Sequence, residues 1–169
     1  LLTKQDYESL IPNKINVENN NLLVYLLDEN KTFSKMISSF EIANNINSIY
    51  VNASNNIYNI DVFNRISPSV EEWIQYFSHA KYVLTDSFHG CVFSIIFNKP
   101  FVVIQNIERG FSRINSLLES LNIENRVISD FKDFTKIMNE PIDWINIEKK
   151  IQNFKKNSFQ ILQLNNLNK

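Results

Sequence analysis

Tyr82-Val83-Leu84-Thr85-Asp86-Ser87-Phe88-His89-Gly90-Cys91-Val92-Phe93-Ser94-Ile95-Ile96-Phe97-Asn98-Lys99-Pro100-Phe101-Val102-Val103-Ile104 decides the fold. An apolar run of strand length, Tyr82 to Leu84, meets a polar break at Thr85-Asp86-Ser87. An apolar segment of helical length then runs through Phe97, and a second strand follows at Phe101 to Ile104. That strand shows no polar–apolar alternation, as expected where both faces of a parallel sheet are covered. Strand, tight loop, helix, strand is the predicted order. Asp86 to Gly90 then lies at the carboxyl end of a buried strand and at the amino end of a helix, where open α/β sheets bind ligands and free N–H groups attract anions.

Outward from this centre the same alternation continues. Leu22 to Leu27 reads as a buried strand ended by Asp28-Glu29-Asn30, and Thr32 through Asn44 as a helix capped by Thr32 with Phe33, Met36, Ile37, Phe40 and Ile42 on one side. Ser48 to Val51 is a second strand, so parallel pairing is expected. Ile57, Ile60 and Val62 suggest a short strand or ordered loop. Ser67-Pro68-Ser69-Val70-Glu71-Glu72 combines a capping hydroxyl, a proline near the first helical position and acids in the first turn. The resulting helix should present Val70, Trp73, Ile74 and Phe77 on one face and end near Ala80. Ser112 is the expected cap of a helix carrying Ile114, Leu117, Leu118 and Leu121, Arg126-Val127-Ile128 a last short strand, and Ser129-Asp130 the start of a short helix through Met138. Residues 143–169 form a helical segment expected to pack back on the domain.

The 169 residues are of single-domain length, and 44% hydrophobic content with 13 Phe suffices for a packed core. Seventeen basic and 18 acidic residues, net charge −1, are spread along the chain and outline no nucleic-acid face. One cysteine excludes an internal disulfide, and with two histidines it offers no metal-ligand spacing. No apolar run approaches the ~20 residues of a membrane span. A cytoplasmic setting, including the inner face of the membrane, fits the single cysteine best. Asn is abundant and Gly scarce, so Asn is expected to supply the left-handed turn positions.

Thr85-Asp86-Ser87-Phe88-His89-Gly90, the following Phe93 to Phe101, and Arg113-Ile114 with Leu117-Leu118 resemble the signature of the polysaccharide pyruvyltransferase family. Ser67-Pro68, Trp73-Ile74 and Ala80-Lys81-Tyr82-Val83 are similar to that family's approach to the signature, and Leu1-Leu2-Thr3 with Tyr7 to its mid-chain segment. The resemblance runs from residue 1 to about residue 130. It implies a Rossmann-like parallel sheet flanked by helices, like the carboxyl-terminal half of a GT-B glycosyltransferase-type fold. Residues 1–169 would then be one lobe of a longer two-lobed bacterial enzyme, inactive without its amino-terminal lobe.

The activity implied is transfer of a pyruvyl group from phosphoenolpyruvate, as donor substrate and with no cofactor, to hydroxyls of a glycan or lipid-linked sugar acceptor in exopolysaccharide biosynthesis. By the same resemblance His89 is the catalytic residue, in donor binding and proton transfer. Before it, a histidine just past a buried strand reads equally well as a structural one. Ser87, Phe88, Gly90 and Asp86 form the expected donor and anion-binding loop, though helix capping explains Ser87 and Asp86 as well. Characterised members often carry Arg-Leu-His where this chain has Ser87-Phe88-His89. Arg113 and Arg109 are the residues expected to replace that charge.

Cys91 reads as core packing rather than a nucleophile. Trp73 and Trp144 sit at core spacing, and Asp61 and Glu108 are candidate bases for the acceptor hydroxyl. A nucleotide-sugar glycosyltransferase and a noncatalytic glycan-binding domain remain alternatives, since one architecture serves many activities.

Overall fold

A computed structural model describes residues 2–11, 19–28, 31–51, 65–107 and 110–166. Its strands are β1 (Asn21–Tyr25), β2 (Asn47–Val51), β3 (Arg65–Ile66), β4 (Tyr82–Thr85), β5 (Phe101–Ile104) and β6 (Val127–Ile128). The helices are α1 (Lys4–Glu8), α2 (Lys31–Asn44), α3 (Val70–His79), α4 (Phe88–Ile96), α5 (Phe111–Leu121), α6 (Phe134–Asn139) and α7 (Trp144–Asn166).

All strand pairs are parallel, in the order β3-β2-β1-β4-β5-β6. The chain starts in the middle of the sheet, winds outward to β3, then returns to lay β4 on the other side of β1. Leu23 of β1 lies beside Val83 of β4, which lies beside Phe101 of β5. Connections leave β1 and β4 in opposite directions, and that reversal opens a crevice at their carboxyl ends.

The apolar strands read as they do because both faces are buried. Leu23, Val83, Phe101 and Val103 pack with Ile74 and Phe77 of α3, Cys91 and Ile95 of α4 and Ile114 and Leu118 of α5. Leu22, Val24, Leu84, Val102 and Ile104 pack on the other face with Phe33, Ile37 and Phe40 of α2 and Phe134 and Met138 of α6. An unbroken apolar strand is the only pattern that fills two such layers. The expected α/β class and parallel sheet are what the chain adopts.

Local details differ where a cap competes with its neighbours. Ser69, not Ser67, caps α3: its hydroxyl accepts from the Glu72 N–H and the Glu72 carboxylate accepts from the Ser69 N–H. Only Ser69 has an acid three residues on to close this box, and Pro68 therefore falls outside the helix. Val70, expected in the core, is 71% exposed, because it is the first helical residue and precedes the face that carries Ile74 and Phe77. Ile42 is likewise 83% exposed, off the face of Phe33, Ile37 and Phe40, and Thr32 falls inside α2, which starts at Lys31. Gly110 rather than Ser112 precedes α5, in the left-handed region at φ 74°.

Arg126 stands outside the last strand, in a 3-10 turn at Glu124–Arg126. It is fully buried and donates from Nε to the Phe101 carbonyl at 2.8 Å, and burial pushes its pKa down to about 10. The helix expected from Ser129 breaks into a 3-10 turn at Phe131–Asp133, capped by Asp130, followed by α6.

Among the described residues, Asn45, Asn98 and Asn122 are the non-glycine positions with positive φ, at 49°, 53° and 58°. Asparagine thus takes the turn positions that glycine fills in less Asn-rich chains. In α7, Ile147 is buried and Ile151 half-buried, while Phe154 and Phe159 are exposed. Ile57, Ile60 and Val62 lie outside the described residues.

Candidate functional site at the β1–β4 crevice

The loop from β4 into α4 is held from below by two side chains of β4's own carboxyl end. The Thr85 hydroxyl donates to the Tyr25 carbonyl at 2.8 Å and accepts from the Ser87 N–H at 3.0 Å. The Asp86 carboxylate accepts from the main-chain N–H groups of Leu27 at 2.7 Å and Asp28 at 3.2 Å, and from Asn106 Nδ2 at 3.1 Å. These bonds tie the carboxyl ends of β1, β4 and β5 together. Asp86 is buried and already saturated with donors, so its direct effect is to position the loop.

Gly90 lies where α4 meets the sheet. A Cβ built there would stand 2.2 Å from Thr85 Oγ1 and 2.8 Å from Thr85 Cβ, so the helix reaches this depth only with glycine. Downstream, the Ser94 hydroxyl donates to the Gly90 carbonyl at 2.7 Å. Cys91, fully buried beneath the helix, has its thiol pushed up to about 12 by burial. At neutral pH it carries no nucleophilic thiolate.

Ser87 is buried and makes no side-chain capping bond to α4. Burial pushes the neighbouring Tyr25 phenol above its usual range, the Ser87 hydroxyl works against the rise, and the Asp86 charge adds to it. Tyr25 is therefore a protonated phenol at neutral pH. The first turn of α4 presents main-chain N–H groups with no intrahelical acceptor and no serine cap, and the helix dipole makes that end favourable to an anion.

His89 is exposed in the first turn of α4. Phe88, half-buried, contacts His89 edge to face at 6.1 Å between ring centroids, and the Arg113 guanidinium lies 5.6 Å from the Phe88 ring centre. That distance is in the cation–π range. Arg113 also closes over Gly110, whose built Cβ would lie 3.3 Å from Arg113 Nη2. Phe88 thus connects His89 and Arg113 on one exposed edge, while Ser87, Gly90 and Asp86 form the buried support below. Arg109, Glu108 and Asp61 lie outside the described residues.

Three residues join the site without having been singled out from sequence: Tyr25, Asp28 and Asn106. Tyr25 read only as strand interior and Asp28 only as a strand terminator. Asn106 carried no signal at all, since its partners are 78 and 20 residues away. The topology itself could have pointed to them, because all three stand at or just past the carboxyl ends of β1 and β5, the two strands that flank β4.

A family model described as polysaccharide pyruvyl transferase matches residues 4–108, more than half of the chain. The chain belongs to that family. The matched segment runs from α1 through β5 and contains the whole Thr85–Gly90 loop, whereas Arg113 lies just beyond it. No curated protein matches the chain in sequence. Among solved structures, one titled "Crystal Structure Analysis of the Glycotransferase of kitacinnamycin" is similar at 12% identity with a TM-score of 0.53. The alignment covers 81% of this chain and 39% of that one, so the chain spans well under half the length of that structure. At this identity the likeness concerns the α/β fold, and it agrees with the glycosyltransferase-type architecture expected from the sequence.

Among the described residues no group of three or more His, Cys, Asp or Glu could hold a metal ion. No described helix is long and apolar enough to cross a membrane.

Proposed function

We propose that this chain is the carboxyl-terminal lobe of a glycan-modifying transferase that moves a pyruvyl group from phosphoenolpyruvate to two hydroxyls of a sugar, as a ketal. The observation that supports this most is the family match over the Thr85–Gly90 loop, together with the place of that loop at the reversal of strand order. Phosphoenolpyruvate is a compact polyanion, and the uncapped first turn of α4 with the Arg113 guanidinium nearby suits one of its anionic groups. His89 stands on the same edge, in a position to protonate the enol carbon or to support the departing phosphate.

Protonation of the methylene carbon turns it into a methyl group and leaves positive charge on the adjacent carbon. A sugar hydroxyl adds there, phosphate leaves, and a second hydroxyl closes the ketal. Ser87, buried and with its N–H donating to the Thr85 hydroxyl, holds the loop without supplying charge. The acceptor belongs to a cell-surface glycan, and the remaining lobe of the enzyme completes the crevice.

Calorimetric titration of the full-length protein distinguishes the donors. Phosphoenolpyruvate is expected to bind saturably, with a dissociation constant in the micromolar to millimolar range common for enzyme substrates, and Arg113→Ala is expected to weaken it about tenfold. Saturable binding of a nucleoside diphosphate with no response to phosphoenolpyruvate would replace this donor by a nucleotide sugar.

A further inference from the structure

We propose that Asp28 is the catalytic base of the acceptor half-reaction, held for that task by Asn106; this rests on the pyruvyl-transfer reading above. Among the described residues two carboxylates, Asp28 and Asp86, stand at the crevice, and the fold separates them. Asp86 is buried and receives three donors, two of them main-chain N–H groups. Asp28 is exposed at the carboxyl end of β1, and its own N–H donates to Asp86 Oδ2. Asn106 Nδ2 donates to Asp28 Oδ2 at 2.8 Å and to Asp86 Oδ2 at 3.1 Å.

One amide from the end of β5 therefore fixes an exposed carboxylate of β1 against a buried one of β4. The arrangement restrains Asp28 on the open side of the crevice, on the strand next to the one that carries Ser87 to Gly90. An ordinary surface aspartate would not be tied to two neighbouring strand ends by bonds spanning 58 and 78 residues.

The reaction requires such a group. When the first hydroxyl attacks the cationic carbon, its oxygen forms the new C–O bond, its O–H bond breaks, and the proton passes to the Asp28 carboxylate. The bond from that carbon to the phosphate oxygen then breaks, and its electron pair leaves with phosphate. The second hydroxyl adds in the same way, and its proton completes the inorganic phosphate. The proton taken up by the methyl carbon is restored to the site acid from Asp28 through solvent, so the balance is one phosphoenolpyruvate and one diol to one ketal and one phosphate. A carboxylate on the acceptor side also accepts hydrogen bonds from neighbouring sugar hydroxyls, which orients the attacking oxygen.

The test is steady-state kinetics of the full-length protein with phosphoenolpyruvate and its acceptor glycan. Asp28→Asn keeps an oxygen for Asn106 and should fold with an unchanged melting temperature. It is expected to lower kcat by about 100-fold or more, with KM for phosphoenolpyruvate unchanged. Asp28→Glu should recover part of that loss. Asn106→Ala leaves the carboxylate but removes this restraint on it, and should lower kcat on the order of tenfold while raising the acceptor KM. Equal phosphate release by wild type and Asp28→Asn overturns the role of Asp28 and leaves pyruvyl transfer standing. No release by the wild type overturns both.

Discussion

Asp86→Ala is expected to destabilise the domain by roughly 2–4 kcal/mol, a large part of the ~5–15 kcal/mol that holds a domain of this kind together. The reason lies in what the carboxylate receives. Leu27 N–H, Asp28 N–H and Asn106 Nδ2 all donate to it, and these bonds are part-buried. Bonds to an ionised acceptor contribute more than neutral ones, and removing the acceptor strands donors that have little water to turn to. Alanine would also detach the end of β1 from that of β4, so the crevice should loosen along with the fold. Asp86→Asn restores one acceptor oxygen but turns an NH2 toward other donors, and should recover less than half of the loss. Chemical denaturation of the two variants checks this, and an Asp86→Ala protein of wild-type stability would show that the three bonds contribute nothing net.

Gly90→Ala should be comparably severe, against the usual trend. Within a helix, alanine is favoured over glycine by about 1 kcal/mol. Here the added methyl would sit 2.2 Å from Thr85 Oγ1. Thr85 cannot rotate away without giving up its bonds to the Tyr25 carbonyl and the Ser87 N–H. Overpacking of this kind costs about 1–3 kcal/mol, which reverses the sign of the substitution. Because α4 would have to lift off β4, His89 and the first-turn N–H groups would move with it, and donor binding should fall as well. Thr85→Ala in the same chain should relieve the strain only in part, since Thr85 Cβ is itself 2.8 Å from the built methyl. An unchanged or raised melting temperature in Gly90→Ala would mean that α4 rides higher than its packing on Thr85 indicates.

Much of the sheet was legible because burial on both faces leaves a strand no polar positions. Leu22-Leu23-Val24 and Phe101 to Ile104 are examples, and their neighbours in space follow from alternation with helices. Left-handed asparagines were legible for a stereochemical reason, and Asn45, Asn98 and Asn122 fill that role. Caps were harder, because Ser67 and Ser69, or Gly110 and Ser112, differ only in what the following turn does with them. The supporting half of the site was not legible. Whether Asp86 holds a ligand or a neighbouring strand depends on residues 58 and 59 positions away, and Ser87 makes no side-chain bond to its own helix. Local sequence describes the loop as a helix start in either case. Only the order of the strands shows which ends meet.

That order also explains why this loop stands at the crevice while others merely connect. The return of the chain from β3 to β4 places β4 beside β1, and the crevice follows from that pairing. Phe88 then joins His89 to Arg113 of the next helix.

Phosphate release from phosphoenolpyruvate by the full-length protein, with and without an acceptor glycan and beside His89→Ala, tests the central claim most directly. Release that needs the acceptor and falls about 100-fold or more in a normally folded His89→Ala protein is the predicted result. Equal release by wild type and His89→Ala, or turnover of a nucleotide sugar in place of phosphoenolpyruvate, would contradict it.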